Sequence, residues 1–439
     1  MRNSLSATGL CVVLLALPGC GSSKSEPSEA GVALSISNPE AGVQPTEVPE
    51  QKGITELKKR AQAFAARGMA AQSIEALGQA IGLSPDNANL YRMRADVYNA
   101  SGEYASALAD YSAAVRLGPK DAQLYNVRGF FLMSRGEATR AQADFSKAIE
   151  LNADFAEAWN NRGLIFLSAD QVDKAIGDFE KAIAIKGDYV DAHNNCGFAH
   201  YKARRFEKAE ECLNRALQIN PDYVNAYNNR GLVRLQTKEF DKAVVDFTEA
   251  IKRNRFDRQY YVSRRVALLQ MNEPAAARAD AERITWLTGL TTMNARVVHE
   301  PTNPTVYLNR GQYFEDAGEQ EAAIVDYSRA LQLNPASNRA LIARAAALNV
   351  IGQHDQAIAD CDAALRLGES TEAHSVRGDA LMKKGDVDQA IADFERAERF
   401  DSAVAQAYLQ RSDRLKKDGD TAGADRDRQH ALSLDPTLK

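Results

Sequence analysis

The sequence predicts an all-α solenoid of about eleven stacked helical hairpins, and three observations support this fold class. From residue 54 the chain repeats with a period of 34 residues. Small residues recur at repeat positions 8, 20 and 27, where the two helices of a hairpin must approach closely. Glycine at position 15 and proline at position 32 end the two helices in many repeats. Such a hairpin cannot bury its own apolar faces, so neighbouring hairpins must stack.

The repeats align when the small residue that follows a recurrent arginine is set at position 8. They then begin at residues 54, 88, 122, 156, 190, 224, 258, 304, 338, 371 and 405. Apolar positions 4, 8 and 11 share one face of a first helix, and positions 20, 24 and 27 share one face of a second. No segment has the alternating pattern of a strand.

This pattern resembles the tetratricopeptide repeat family over residues 54–436. The resemblance implies a right-handed superhelical solenoid of helix-turn-helix units whose concave groove binds a protein or an extended peptide. It also implies a scaffold or adaptor without enzymatic activity, and we expect no cofactor. No phosphate-binding glycine loop or nucleophilic serine motif is present, and the repeats leave no room for an enzyme domain.

The spacing is interrupted after the seventh repeat, because the eighth begins 46 residues later instead of 34. We therefore predict one array over residues 54–288, an irregular inter-repeat segment over residues 289–303 and a second array over residues 304–439. The segment is interpreted as a long loop, with a hinge or a partner-binding loop as alternatives. The second helix of the last repeat is polar, and we expect it to cap the array.

The N-terminus has the layout of a bacterial export signal. Residues 1–19 contain Arg2, a short apolar run and small residues before Cys20. Leu17-Pro18-Gly19-Cys20 resembles the lipobox, which implies cleavage before Cys20 and its lipidation, for example with palmitate. Residues 20–53 are rich in proline, serine and glutamate and are predicted to form a disordered tether.

The predicted location is therefore the cell envelope, with the lipid anchor in a membrane (the outer membrane favoured) and the chain facing the periplasm. A plain secretory signal is one alternative, and a cytosolic co-chaperone is another if no signal operates. The formal net charge of −5 and the absence of a basic run argue against nucleic acid as a partner.

Nine repeats carry arginine at position 7 together with aspartate at position 23. The pairs are Arg94/Asp110, Arg128/Asp144, Arg162/Asp178, Arg230/Asp246, Arg264/Asp280, Arg310/Asp326, Arg344/Asp360, Arg377/Asp393 and Arg411/Asp427. In an antiparallel hairpin, two residues lie side by side when their repeat positions add up to about the same constant. The sum for this pair differs by only one from the sum for the neighbouring apolar pairs. We expect a partly buried ion pair that sets the register of each hairpin.

The fifth repeat replaces both members of this pair with Cys196 and Cys212. Level placement and an oxidising compartment predict a disulfide, with two free buried thiols as an alternative. A metal-binding or redox-responsive module is a further alternative, because His193 and His200 share the helix face of Cys196. Cys361 occupies a core position and is expected to be an inert buried thiol.

Asparagine recurs at positions 5 and 6 of the first helices. The residues are Asn126, Asn160, Asn161, Asn194, Asn195, Asn228, Asn229 and Asn309. In the resembled family these positions line the inner groove, which implies that the amides bind the backbone of an extended peptide. The alternative is that they are polar surface residues of the repeat consensus.

Overall fold

The computed structural model describes residues 49–438. The predicted signal peptide, Cys20 and residues 20–48 of the predicted tether lie outside this range. The described residues form twenty-two α-helices and no strand, which confirms the all-α repeat fold. The described residues divide into two compact bodies, with the boundary between Pro85 and Asp86.

The described part of the first body is one hairpin, made of α1 (Pro49–Ala66) and α2 (Ala70–Leu83). Residues 49–53, predicted as the end of the tether, are instead helical. Pro49 stands at the first helical position, where its missing N–H leaves no hydrogen bond unmade, and no helix breaker other than Gly53 follows it. Ser73 Oγ donates to the Ala61 carbonyl at 2.9 Å and joins the two helices.

The second body contains ten hairpins, and each packs against the next. The first helices are α3 (Ala88–Ala100), α5 (Ala122–Ser134), α7 (Ala156–Ser168), α9 (Val190–Lys202), α11 (Val224–Gln236), α13 (Arg258–Gln270), α15 (Pro304–Asp316), α17 (Asn338–Val350), α19 (Thr371–Lys384) and α21 (Ser402–Lys417). The second helices are α4 (Tyr104–Leu117), α6 (Ala138–Leu151), α8 (Val172–Ile185), α10 (Phe206–Ile219), α12 (Phe240–Arg253), α14 (Pro274–His299), α16 (Gln320–Leu333), α18 (His354–Leu367), α20 (Val387–Arg396) and α22 (Thr421–Leu434).

In most hairpins a small residue at position 8 packs against a large residue at position 24 in the core. The exceptions are the seventh repeat, with Arg265 and Ala281, and the eleventh, with Arg428 at position 24. In the sixth repeat, a Cβ on Gly231 would lie 2.7 Å from Cε1 of Phe247, so only glycine allows this approach. Phe247 is fully buried between Ala243 and Ala250. Removing a phenylalanine ring of this kind from water stabilises the fold by about 1.5–3 kcal/mol.

Each of the eleven first helices is followed at position 15 by a residue in the left-handed conformation. The glycines with positive φ are Gly68, Gly102, Gly136, Gly318, Gly352, Gly385 and Gly419, as predicted. Repeats four to seven use Asp170, Arg204, Lys238 and Asn272 instead, with φ between 57° and 65°. A side chain in this region costs about 1–2 kcal/mol, so these four turns are held by the packing on either side.

All nine predicted Arg–Asp pairs form. In each, Nε and Nη2 of the arginine donate to the carboxylate over 2.6–3.3 Å. The aspartate side chains are only 1–12% exposed and those of the arginines 17–26%. This two-point geometry fixes the two helices against sliding, because both hydrogen bonds require one register.

The remaining guanidinium nitrogen often reaches the preceding repeat, which the sequence did not indicate. Arg230 Nη1 donates to Asn214 at 2.7 Å, and Arg264 Nη1 donates to Thr248 at 3.1 Å. The same nitrogen of Arg162, Arg344 and Arg377 contacts Ser146, Ser328 and Asp362, all at position 25. The arginine therefore joins three helices and ties each of these repeats to the one before it.

The segment predicted to be irregular is mostly helical. α14 runs for 26 residues and covers 289–299 of the predicted 289–303 segment. It ends at His299, and its C-cap Glu300 precedes Pro301, because proline disfavours a helical conformation in the residue before it. The extra residues therefore lengthen a second helix instead of forming a loop.

Aromatic contacts hold the long helix against α15. The rings of Trp286 and Tyr313 stack with centroids 5.5 Å apart and planes 7° apart. The Tyr313 hydroxyl donates to the Trp286 carbonyl at 2.8 Å, and Arg283 lies 4.1 Å from the Trp286 ring centroid. Arg283 also pairs with the buried Glu319. These contacts fasten the junction, which argues against a hinge at this point.

The last two repeats depart from the predicted spacing. α20 has 10 residues and ends before Glu398, which has a φ of 52°. α21 consequently begins at Ser402, three residues before the predicted start at 405. In α22 the buried residues face α21, whereas Arg428 is exposed.

We expect Asp246→Ala to lower the free energy of unfolding by about 3–5 kcal/mol. Asp246 is fully buried and accepts from both Arg230 and Arg234. Its removal leaves the Arg230 guanidinium without a carboxylate and leaves Arg234 with Glu210 alone. Urea unfolding followed by circular dichroism measures the change. Glu282→Ala, in the exposed pair with Arg278, is the control and should leave the midpoint unchanged. Equal midpoints for both variants would contradict the structural role of the pair.

Candidate functional site

Six of the eight predicted asparagines form a ladder of hydrogen bonds between successive first helices. We name this set the asparagine ladder: Asn161 Nδ2 donates to Asn126 Oδ1 at 3.1 Å, Asn195 to Asn160 at 3.0 Å, and Asn229 to Asn194 at 2.9 Å. Each rung joins position 6 of one repeat to position 5 of the repeat before it. The acceptors Asn126, Asn160 and Asn194 are buried, and the donors are half-buried.

The ladder ends at Asn228. Its Oδ1 is buried without a hydrogen-bond partner, because the next repeat carries Ser263 where the donor asparagine would stand. Asn309 is half-buried on α15 and belongs to no rung, since the repeat before it has Val262 at position 5. The ladder is therefore confined to repeats three to six.

These bonds give the ladder a structural role in the packing of successive repeats. Each rung pairs an amide donor with an amide acceptor on the neighbouring repeat. Part of the hydrogen-bonding capacity of these asparagine side chains is therefore used within the protein. An asparagine side chain has two N–H donors, and the half-buried Asn161, Asn195 and Asn229 each keep one for another partner. Their predicted contact with a peptide stays a prediction.

A row of apolar side chains follows the ladder at position 9 of the same helices. Phe130 is 39% exposed, and Leu164, Phe198 and Leu232 are half-buried. Positions 5, 6 and 9 lie on one face of a helix, because residues three and four apart are neighbours. We call this combined surface the ladder face. It presents amide groups beside apolar groups over four consecutive repeats.

The structure brings the two cysteines of the fifth repeat together. Their Sγ atoms lie 3.4 Å apart, and both are free thiols, with Cys196 buried and Cys212 half-buried. In a disulfide the two sulfur atoms are about 2.04 Å apart. The two cysteines are close together, as expected, and the disulfide itself stays a prediction. The hydrogen bond between the thiols raises the pKa of Cys196, as does burial, and lowers the pKa of Cys212.

Two histidines lie near this pair, and only His200 has a ring nitrogen close to both sulfur atoms. His193 Nε2 lies 3.1 Å from the Gly187 carbonyl and is satisfied there. His200 is 2% exposed, and one ring nitrogen lies within 4.8 Å of both sulfur atoms. Burial lowers the pKa of His200, which favours the neutral imidazole. Of the four residues considered from the sequence, Cys196, His200 and Cys212 therefore have their ligand atoms close together, and His193 lines the same pocket without joining them.

The same thiols and His200 line an open pocket of about 740 Å³. Glu180, Lys208 and Glu211 form part of its rim. Glu180 Oε1 lies 3.9 Å from His200 Nε2 and is exposed on its other side. Glu180 occupies position 25 of its repeat. In other repeats, the residue at this position contacts the arginine of the next repeat. Because the next repeat has Cys196 in place of that arginine, the Glu180 carboxylate faces the pocket.

Cys361 differs from this pair. It is fully buried in the core, and burial raises the pKa of its thiol to about 12. A thiol with such a pKa is protonated at neutral pH and a poor nucleophile.

Family comparison decides what kind of chain carries these features. Tetratricopeptide repeat models match residues 58–122, 132–190, 190–223, 224–257, 308–372 and 350–405, which together span more than half of the chain. The chain belongs to the tetratricopeptide repeat family. Proteins of this family act as protein-interaction scaffolds and are typically non-enzymatic. No curated protein sequence matches the chain.

Several solved structures of repeat proteins are similar over part of the chain. PilW, a type IV pilus biogenesis factor, is 21% identical with a TM-score of 0.42, over 45% of this chain and 91% of that chain. PilF of Pseudomonas aeruginosa is 22% identical with a TM-score of 0.36, over 50% of this chain and 94% of that chain. YrrB, described as having an unusual peptide-binding site, is 19% identical with a TM-score of 0.30, over 53% of this chain and 97% of that chain. At these values the comparisons do not indicate a function for this chain.

Within residues 49–438, no helix has the length and hydropathy needed to cross a bilayer. Cys20, the predicted lipidation site, lies outside the described residues, and its modification stays a prediction.

We expect Asn195→Ala to destabilise the array by about 1–3 kcal/mol, because it leaves the buried Asn160 Oδ1 without its donor. The double variant Asn160→Ala/Asn195→Ala removes donor and acceptor together and should cost less than the sum of the two single changes. Urea unfolding of the four proteins measures the coupling. Asn309→Ala, outside the ladder, is the control. Strictly additive losses would show that the rung contributes nothing.

Proposed function

We propose that this protein is a non-enzymatic adaptor, lipid-anchored in the bacterial envelope and facing the periplasm, that binds a protein or extended peptide on its ladder face. Family membership supports the general role of protein-interaction scaffold. The observation that carries the finer proposal is the ladder face itself, with amide and apolar groups side by side over repeats three to six.

The chemistry of the ladder face suits an extended peptide. A peptide backbone offers a donor and an acceptor at each residue, and a side-chain amide can pair with either. The ladder holds Asn161, Asn195 and Asn229 in fixed orientations, which lowers the entropy that would be lost on binding. Phe130 and Phe198 at position 9 would then contact the side chains of the bound segment.

The envelope location rests on the N-terminal sequence. Cys20 follows Leu17, Pro18 and Gly19 after a short apolar run, which is the arrangement of a lipoprotein signal. A tether of some thirty residues would reach about 30 Å and would leave the repeats free to turn towards a partner.

Photo-crosslinking tests the binding surface. A photoreactive amino acid placed at Phe198, on the ladder face, should give adducts with a partner in living cells. The same amino acid at Val245, which is 59% exposed on a second helix, is the control. Adducts from position 245 alone would contradict the assignment. Once the partner is identified, Phe198→Ser should weaken its binding about tenfold or more, since truncated aromatic anchors carry much of an interface's energy.

Metabolic labelling tests the anchor. The wild-type protein should incorporate labelled palmitate and sediment with membranes, whereas Cys20→Ala should do neither. A wild-type protein that remains in the soluble cytosolic fraction without label would contradict the envelope assignment and favour the co-chaperone alternative.

A further inference from the structure

We propose that Cys196, His200 and Cys212 form a three-ligand site for Zn²⁺, which takes the place of the missing ion pair in the fifth repeat. The proposal is independent of the partner bound on the ladder face. It rests on the donor set, on an unpartnered buried nitrogen and on the pocket that opens beside them.

The donor set and its spacing fit zinc. Thiolate and imidazole are the preferred protein ligands of Zn²⁺, with bonds of about 2.3 Å to sulfur and about 2.0–2.1 Å to nitrogen. A tetrahedral ion with these bonds separates two sulfurs by about 3.8 Å and a sulfur from a nitrogen by about 3.6 Å. The sulfurs lie 3.4 Å apart and one His200 nitrogen lies within 4.8 Å of both. Side-chain movements of about an ångström or less therefore complete the geometry.

His200 supplies the second observation. Its Nδ1 is buried with no hydrogen-bond partner, although buried polar atoms are rarely left unpaired. The other two buried histidines of the described residues are satisfied, His193 by the Gly187 carbonyl and His374 by Asp393 and Glu369. Among these three histidines, only His200 has a buried ring nitrogen without a partner. A bound metal ion would be that partner.

Glu180 and the pocket complete the arrangement. A ligating histidine usually has its other ring nitrogen oriented by a carboxylate, and Glu180 Oε1 lies 3.9 Å from His200 Nε2. Three protein ligands leave the fourth position of the ion to water or to an exogenous group. The pocket lined by Cys196, His200 and Cys212 gives that position access to solvent.

Binding of the metal ion replaces the protons of the two thiols. Two thiols lose two protons to solvent, and the resulting thiolates and the neutral imidazole bind one Zn²⁺, so the ion and its three protein ligands together are electrically neutral. Oxidation of the same thiols to a disulfide would remove two electrons and two protons and would leave no thiolate for the metal. The two states therefore exclude each other.

Titration of the mature, reduced full chain with Co²⁺ tests the site. One equivalent should give visible d–d bands and a thiolate-to-metal charge-transfer band, and Zn²⁺ should displace the Co²⁺. Cys196→Ser, Cys212→Ser and His200→Ala should each weaken binding more than about a hundredfold, because even the loss of an outer-shell partner costs 10–100-fold. His193→Ala and Cys361→Ala are matched controls and should bind as the wild type does.

Thermal unfolding gives a second readout that does not depend on the spectrum. Excess Zn²⁺ should raise the melting temperature of the wild type and of His193→Ala, because a ligand that binds only the folded state stabilises it. It should leave His200→Ala unchanged, with circular dichroism showing that this variant is folded. Absence of one-equivalent binding by the reduced protein, or undiminished binding by folded His200→Ala, would overturn the proposal.

Discussion

The two-point hydrogen bond between an arginine and an aspartate is the interaction on which the geometry of most repeats depends. It fixes the register of the two helices within a hairpin, and in several repeats a further guanidinium nitrogen bonds to the preceding repeat. In seven repeats the guanidinium also lies over the aromatic ring at position 4 at 4.8–6.0 Å. A single side chain thus sets both the shape of a repeat and its distance from the one before.

This fixed spacing is what allows the ladder face to exist. Each rung joins residues 35 positions apart, so it forms only when successive first helices keep the same offset. The helix turns in repeats four to seven carry non-glycine residues with positive φ, a strain that overlaps the region of the ladder. Strained backbone that packing sustains is common near functional sites. Three of the four repeats that carry the ladder face therefore have this strained turn.

Periodicity predicted the helices well because spacing alone decides them. Nine first helices, from Ala88 to Thr371, begin at the predicted residue. The Arg–Asp pairs were equally predictable, since level positions in a hairpin follow from the period. Three features could not be predicted from the spacing of residues, because they depend on individual side-chain contacts. They are the helical extension held by Trp286 and Tyr313, the Asn–Asn bonds between repeats, and the contact of His193 with the Gly187 carbonyl.

The fifth repeat tests the account most directly, because it keeps the fold while replacing the pair with Cys196 and Cys212. Cys196→Arg/Cys212→Asp restores the pair, and Glu180 stands at position 25 to receive the third nitrogen. The melting temperature of this variant, compared with the reduced, metal-free wild type and with Cys196→Arg alone, is the decisive measurement. We predict a double variant at least as stable as the wild type and a destabilised single variant. A double variant that is no more stable than the single one would contradict the central role of the pair.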